Sequence, residues 1–290
     1  MFSQAGSLLA MSSPFLPPTL ALALLAAGNA AAQIPSLPGG AQSHWVVADP
    51  QELVVYLTFN PANLQDRLPG SLRFLTVKGL ATRGVPWAAD YLTKQPNHGA
   101  WGISFLEIVR MGTFSIDGRS PSWPRNGAAA LWFARVEPSD PSADLGPGTP
   151  FLALEFWLPD RAYVSYMRQR GYYATYGDVS LSQAPGGRWL GSVKVKGLTL
   201  KADCLPQGPL TGGAGSAGMQ TFFAPRASGL QKFVRVAFAG HQVQACSEDS
   251  TWTLRGTHPA AGGTLLPPAN FEFGYRLVGG TYDLSLPRGK

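Results

Sequence analysis

Charge is scarce in this chain. Of 290 residues only 14% are Asp, Glu, Lys or Arg, while 45% are hydrophobic. That balance excludes a disordered chain, which needs the opposite proportions. The 23 basic residues exceed the 17 acidic ones, for a net charge of +6. They form no dense run, so a nucleic-acid partner is not expected and an ordinary basic surface is. Cysteine is rarer still: Cys204 and Cys246 stand alone, with no C-x-x-C pair. The four histidines, His44, His98, His241 and His258, are widely separated, so no metal site is expected. There is no G-x-S-x-G elbow, no P-loop and no H-E-x-x-H helix. The glycine-rich run "TGGAGSAG" (211–218) lacks the strand before and the helix after that a dinucleotide site needs, and reads as a solvated surface loop. Nothing calls for a cofactor. Lysine is missing altogether from Gln95 to Val193.

What is present begins with an apolar stretch, Leu20 to Ala27, followed by small residues. Ala30 and Ala32 satisfy the A-x-A rule with cleavage before Gln33, so residues 1–32 are predicted to be a secretory signal peptide. No Lys or Arg precedes the apolar stretch, and Met11 is an alternative start. An uncleaved anchor is the rival reading, but the run is short for a bilayer, and no later segment is long and apolar enough to span. The expected location is periplasmic or secreted. In that setting Cys204 and Cys246 are expected to pair, with two buried free thiols as the alternative. Residues 33–49 read as a flexible lead-in and 50–290 as one domain.

Gly 34 and Pro 25 point to many turns. "QELVVYLTF" is predicted as a strand. "NPANLQDRLPG" is predicted as a short helix capped by Asn60 and ended by Pro69-Gly70. "SLRFLTVKGL" reads as a second strand and "PWAADYLTK" as a short helix. "GISFLEIVRMGTFSID" (102–117) is the strongest strand, apolar on both faces and hence buried on both. "RNGAAALWFARVEP", "PFLALEFWL" and the segments from Asp178 onward read mostly as further strands. "PDRAYVSYMRQRG" reads as a helix capped by Asp160 and stopped at Gly171. The predicted class is a β-rich α+β domain with one curved, barrel-like or sandwich sheet.

Glu107 lies within the strongest strand, on the face of Phe105 and Val109. A carboxylate there must be paired, hydrogen-bonded or protonated. A buried salt bridge and a catalytic or ligand-binding acid are both open readings. Lys194 and Lys196 alternate within a strand and read as solvated surface lysines.

Several segments, in order, resemble the acetoacetate decarboxylase family. "ELVVYLTFNPANLQDRLPGSL" is similar to its opening strand, short helix and proline-led turn. "FLEIVRMGTFSIDG" is similar to its Glu-bearing strand, and "PDRAYVSYMRQRGYYATYGDVSL" to its central helix and the loop after it. "TYDLSLPRG" resembles its closing "D-x-x-LPR". The resemblance runs from about Gln51 to Lys290 and implies a double-layered, highly curved β-structure around a cone-like pocket. Family chemistry uses a lysine Schiff base whose pKa is lowered by desolvation and a cationic neighbour.

Aligning Arg168 with the family's helix arginine puts Ala174 at its loop proline and Thr175 and Tyr176 at its two lysines. Threonine forms no imine. The arginine expected in the opening strand falls near Pro50. The resemblance therefore implies a small-molecule pocket with Glu107 as acid or base, lined by Arg168, Tyr172, Tyr173, Thr175 and Tyr176. It would bind or transform a small organic acid or amphipathic ligand without Schiff-base decarboxylation. Two alternatives stay open: a genuine decarboxylase or lyase using Lys194 or Lys196, and a non-catalytic structural or lipid-carrying β-protein. Assembly as a homo-oligomer is also open.

Overall fold

The computed structural model describes residues 42–120, 127–146, 148–212, 219–225, 232–237, 242–247, 249–256, 270–278 and 281–287. The predicted signal peptide and residues 213–218 of the glycine-rich run lie outside the described residues.

Runs of β-branched and aromatic residues separated by turn residues form strands throughout. The first half of the chain holds β1 (Gln42–Ala48), β2 (Gln51–Phe59), β3 (Leu72–Phe74), β4 (Gly102–Arg110), β5 (Thr113–Ile116), β6 (Ala128–Pro138) and β7 (Thr149–Leu158). The second half holds β8 (Ala174–Tyr176), β9 (Asp178–Gln183), β10 (Trp189–Val195), β11 (Leu198–Cys204), β12 (Pro206–Gly212) and β13 (Met219–Phe223). It ends with β14 (Lys232–Ala237), β15 (Gln242–Cys246), β16 (Thr251–Gly256), β17 (Asn270–Val278) and β18 (Thr281–Pro287). Among the described residues the α-helices are α1 (Val77–Thr82), α2 (Pro86–Lys94) and α3 (Arg161–Arg168).

The strands form two layers. The larger sheet runs β12-β15-β17-β2-β4-β6-β7-β13-β14-β18-β1-β5, with β3 beside β6 and β8 beside β7. The smaller sheet runs β16-β11-β10-β9. The larger path has two ends, so the curved sheet is not a closed barrel among the described strands. The expected β-rich α+β class with a curved sheet in two layers holds.

Each face of the larger sheet carries its own core. The inner face joins Trp45 of β1, Val54 of β2, Phe105 of β4, Phe133 of β6, Phe151 of β7, Phe222 of β13 and Val243 of β15 in one cluster. Strands so far apart in the sheet meet in one core only because the sheet curves around it. The α-helices add Val77, Leu80, Ala88, Tyr163 and Met167 to the same cluster. The outer face carries Leu53, Leu106, Ile108, Trp132 and Trp157, packed on Val179, Trp189, Val193 and Leu200 of the smaller sheet. Gly191 lets the layers close: a Cβ there would sit 2.7 Å from Ile108 Cδ1. The Cys204–Cys246 disulfide, Cα–Cα 5.3 Å, ties β11 of the smaller sheet to β15 of the larger.

Three local differences from the sequence reading have physical causes. Residues 42–48, read as lead-in, form β1 between β18 and β5, because Ser43, Trp45 and Val47 alternate inward and are buried. The predicted second strand ends at Phe74, since the Thr76 hydroxyl accepts from Gly79 N (3.0 Å) and caps α1. The long strand over 102–117 breaks at Met111-Gly112. A Cβ at Gly112 would lie 2.5 Å from the Ala48 carbonyl oxygen, so the chain turns there. The turn brings Phe114 and Ile116 to the inner cluster rather than to the face of Leu106 and Ile108. The segments over 51–59, 86–94 and 161–168 fall where the sequence placed them.

Candidate functional site

The segment that follows α3 alternates like a strand, and its side chains divide between the two faces. Asp160 Oδ1 accepts from Ala162 N (2.8 Å) and Tyr163 N (3.2 Å) and starts α3. At its other end Arg168 Nε donates to the Ala174 carbonyl oxygen at 2.7 Å, joining the helix to β8. Tyr172 points inward: it is buried, its hydroxyl donates to the Phe222 carbonyl oxygen at 3.3 Å, and its ring meets Phe156 edge-on at 5.6 Å. Tyr173 points outward, its ring beneath the Arg67 guanidinium at 3.7 Å. Tyr176 is 44% exposed and stacks with Arg161 at 4.5 Å.

Thr175 also points outward, and its Oγ1 donates to Glu155 Oε1 at 2.6 Å. Glu155 Oε2 lies 3.5 Å from Arg67 Nη1, and both side chains are almost wholly buried, at 2% and 3% exposure. Arg67 Nη1 also donates to the Leu154 carbonyl oxygen at 2.9 Å. Arg67 closes the 3₁₀ segment Pro61–Arg67, which Asn60 caps through Ala62 N. Leu154 is the extra residue where the β6–β7 register shifts, between Trp132↔Glu155 and Phe133↔Ala153, a bulge that re-aims the following side chain. Three elements thus converge on one buried carboxylate.

Burial dominates its electrostatics. Desolvation pushes the Glu155 carboxyl from 4.5 up to about 7, against the Thr175 hydrogen bond and the charges of Arg67 and Arg168, which favour ionisation. Burial also pulls the Arg67 guanidinium down, opposed chiefly by Glu155. A guanidinium nevertheless stays protonated, so the cation is fixed and the proton that moves is on Glu155. A carboxyl with a pKa near neutrality beside a hydroxyl can hold, accept or give a proton.

Glu107 lies elsewhere. Paired positions run Val54, Glu107, Leu131, Phe156, Ala174 across five strands, and directly paired residues share a face. Glu107 is therefore on the inner face, buried at 4%, three strand spacings or about 14 Å from Ala174. Thr175, one residue on, faces the other way. The structure groups Arg168, Tyr173 and Thr175 with Arg67 and Glu155. It separates them from Glu107 and Tyr172 on the inner face. Lys194 and Lys196 are exposed on the far side of the smaller sheet, while Val193 and Val195 face the core.

Sequence reading missed both Arg67 and Glu155. Glu155 carried the same signal as Glu107, a carboxylate inside an apolar strand. Arg67 gave none, because arginine near the end of a short helix is ordinary.

No family model matches this chain, and no curated protein matches it. Among solved structures it is similar to an acetoacetate decarboxylase-like enzyme from Sphingomonas wittichii RW1, with 13% identity over 96% of this chain and 98% of that one, TM-score 0.48. It is also similar to the enduracididine biosynthesis enzyme MppR complexed with pyruvate, at 15% identity over 91% and 98%, TM-score 0.48. An acetoacetate decarboxylase matches at 11% identity over 88% and 90%, TM-score 0.48. At such identities and scores these likenesses carry no argument about chemistry, and the functional reading stands on this chain's own residues.

Proposed function

We propose that this is an exported protein of acetoacetate-decarboxylase-like architecture that binds or transforms a small organic acid or other amphipathic ligand without forming a Schiff base. The observation that carries the reading is Thr175. It occupies the position that the motif resemblance gives to the family's lysine, and its hydroxyl is held by the buried Glu155–Arg67 pair. In this reading Arg168, anchored through Nε to Ala174, offers its terminal nitrogens to a ligand carboxylate. Tyr173 and Thr175 border the ligand, and Glu155 exchanges a proton through Thr175. The reading with a relocated lysine is set aside because Lys194 and Lys196 are exposed and turned from both cores. Export rests on the apolar N-terminal stretch and on a disulfide, which persists in oxidising compartments.

A second reading, a structural or lipid-carrying β-protein, draws support from the inner core. Phe105, Phe133, Phe151 and Phe222 interlock with centroids 5.0 to 5.6 Å apart, so phenyl rings fill the space between these strands.

Calorimetry at pH 7 with a panel of short-chain keto and hydroxy acids separates the two. The first reading expects at least one to bind. Arg168→Ala or Thr175→Val should then weaken it by about tenfold or more. Glu107→Gln, on the opposite face, should leave it unchanged. Absence of binding across the panel, or binding indifferent to both outer-face variants, sinks the first reading.

A further inference from the structure

Basic residues that are scattered in the sequence are gathered by the smaller sheet. Its outward positions form a grid. One row runs Arg255, Thr199, Lys194, Asp178; the next runs Thr253, Lys201, Ser192, Ser180; a third runs Thr251, Asp203, Leu190, Ser182. Thr199 therefore has a cation directly across each flanking strand, Lys194 and Arg255, and a third, Lys201, two residues along its own strand. Directly paired side chains stand about 5 Å apart and diagonal ones about 7–8 Å, so the three cations surround one hydroxyl. All three are exposed. None makes an ion pair among the described residues. Asp203 in the third row is engaged by Arg188 at 2.7 Å, which leaves Asp178 as the other carboxylate of the grid. Like charges so placed repel, and Asp178, directly across from Lys194, is the one carboxylate of the grid left to offset them.

We propose that this face docks on an anionic lipid surface. Three features select a bilayer as the occupant. The cations spread over two dimensions on adjacent strands, so a plane can meet all of them at once, whereas a linear polymer would follow one row. The hydroxyls of Ser180, Ser192, Thr199 and Thr253 border the cations and suit phosphate oxygens. Leu190, 39% exposed on the same face, places one apolar side chain at the edge of the patch, where the headgroup region accepts it. Lys196, in the exposed turn after β10, extends the positive rim. Attraction of basic side chains to anionic headgroups is additive and screened by salt. The face lies on the opposite side of the smaller sheet from the Glu155 cluster, so its occupancy does not depend on the ligand reading above.

Vesicle flotation with the full chain tests this. Wild type is expected to float with phosphatidylglycerol–phosphatidylcholine vesicles at low salt, not with pure phosphatidylcholine, and to be released at high salt. The triple variant Lys194→Glu, Lys201→Glu, Arg255→Glu should partition on the order of 100-fold more weakly. The charge-conserving Lys194→Arg, Lys201→Arg variant should float like wild type, which guards against misfolding. Lys94→Glu on α2 should also float like wild type. Equal flotation of wild type and the triple variant overturns the proposal by assigning the binding to another part of the chain, the apolar N-terminal stretch included. Binding to soluble dextran sulfate without binding to anionic vesicles overturns it in favour of a polymer.

Discussion

Desolvation outweighs the Thr175 hydrogen bond and the Arg67 charge and raises the Glu155 carboxyl to about 7. A folded-state pKa raised from 4.5 to about 7 means that the folded protein holds this proton more tightly than the unfolded chain. The corresponding stability is complete below about pH 4.5 and is lost as pH rises through 7. The size is about 3 kcal/mol. Urea unfolding of wild type against Glu155→Gln from pH 4.5 to 8 should show wild type losing about that much relative to the variant, whose amide keeps an acceptor for Thr175 and cannot titrate. Parallel pH curves for the two proteins would mean that Glu155 is solvated or differently partnered. Glu107 shows the limit of reasoning from residue type. Two glutamates inside apolar strands look alike in sequence, but the β6–β7 bulge aims Glu155 at Thr175, and the plain alternation of β4 leaves Glu107 on the inner face.

Elements were legible where local chemistry decides them. Asn60 and Asp160 caps, and an unbroken apolar run in β2, fall where the sequence placed them. Elements decided by distant partners were not. β1 became a strand because β18 and β5 flank it, and β8, only three residues long, exists because it pairs in parallel with β7. The disulfide is a side-chain cross-link between the layers, added to the main-chain crossings. Replacing Cys204 and Cys246 with alanine should destabilise the protein by about 2–4 kcal/mol. Amide exchange should quicken in β10, β11 and β16 more than in β4 and β6. Uniform acceleration across both sheets would show that the layers unfold as one unit with or without the bond.

At the scale of the whole molecule, the resemblance pointed to a double-layered β-structure, and the chain has two sheets sandwiching a continuous outer core. What the sequence could not supply was sidedness. Family motifs placed Glu107, Arg168 and residues 172–176 in one pocket, yet the ladder puts Glu107 and Thr175 on opposite faces of the larger sheet. Register across four strands decides that, and register is a property of pairing rather than of any one segment. The same pairing gathers Lys194, Lys201 and Arg255, which the linear sequence showed only as scattered charge.

The proposed function requires that the protein form no imine with a keto acid. Incubation of the purified chain with acetoacetate or pyruvate and sodium borohydride, followed by intact-mass and peptide analysis, tests it directly. The expected result is no mass increment over the ketone-free control. A stable adduct mapped to any lysine, Lys194 and Lys196 included, would contradict the proposed function.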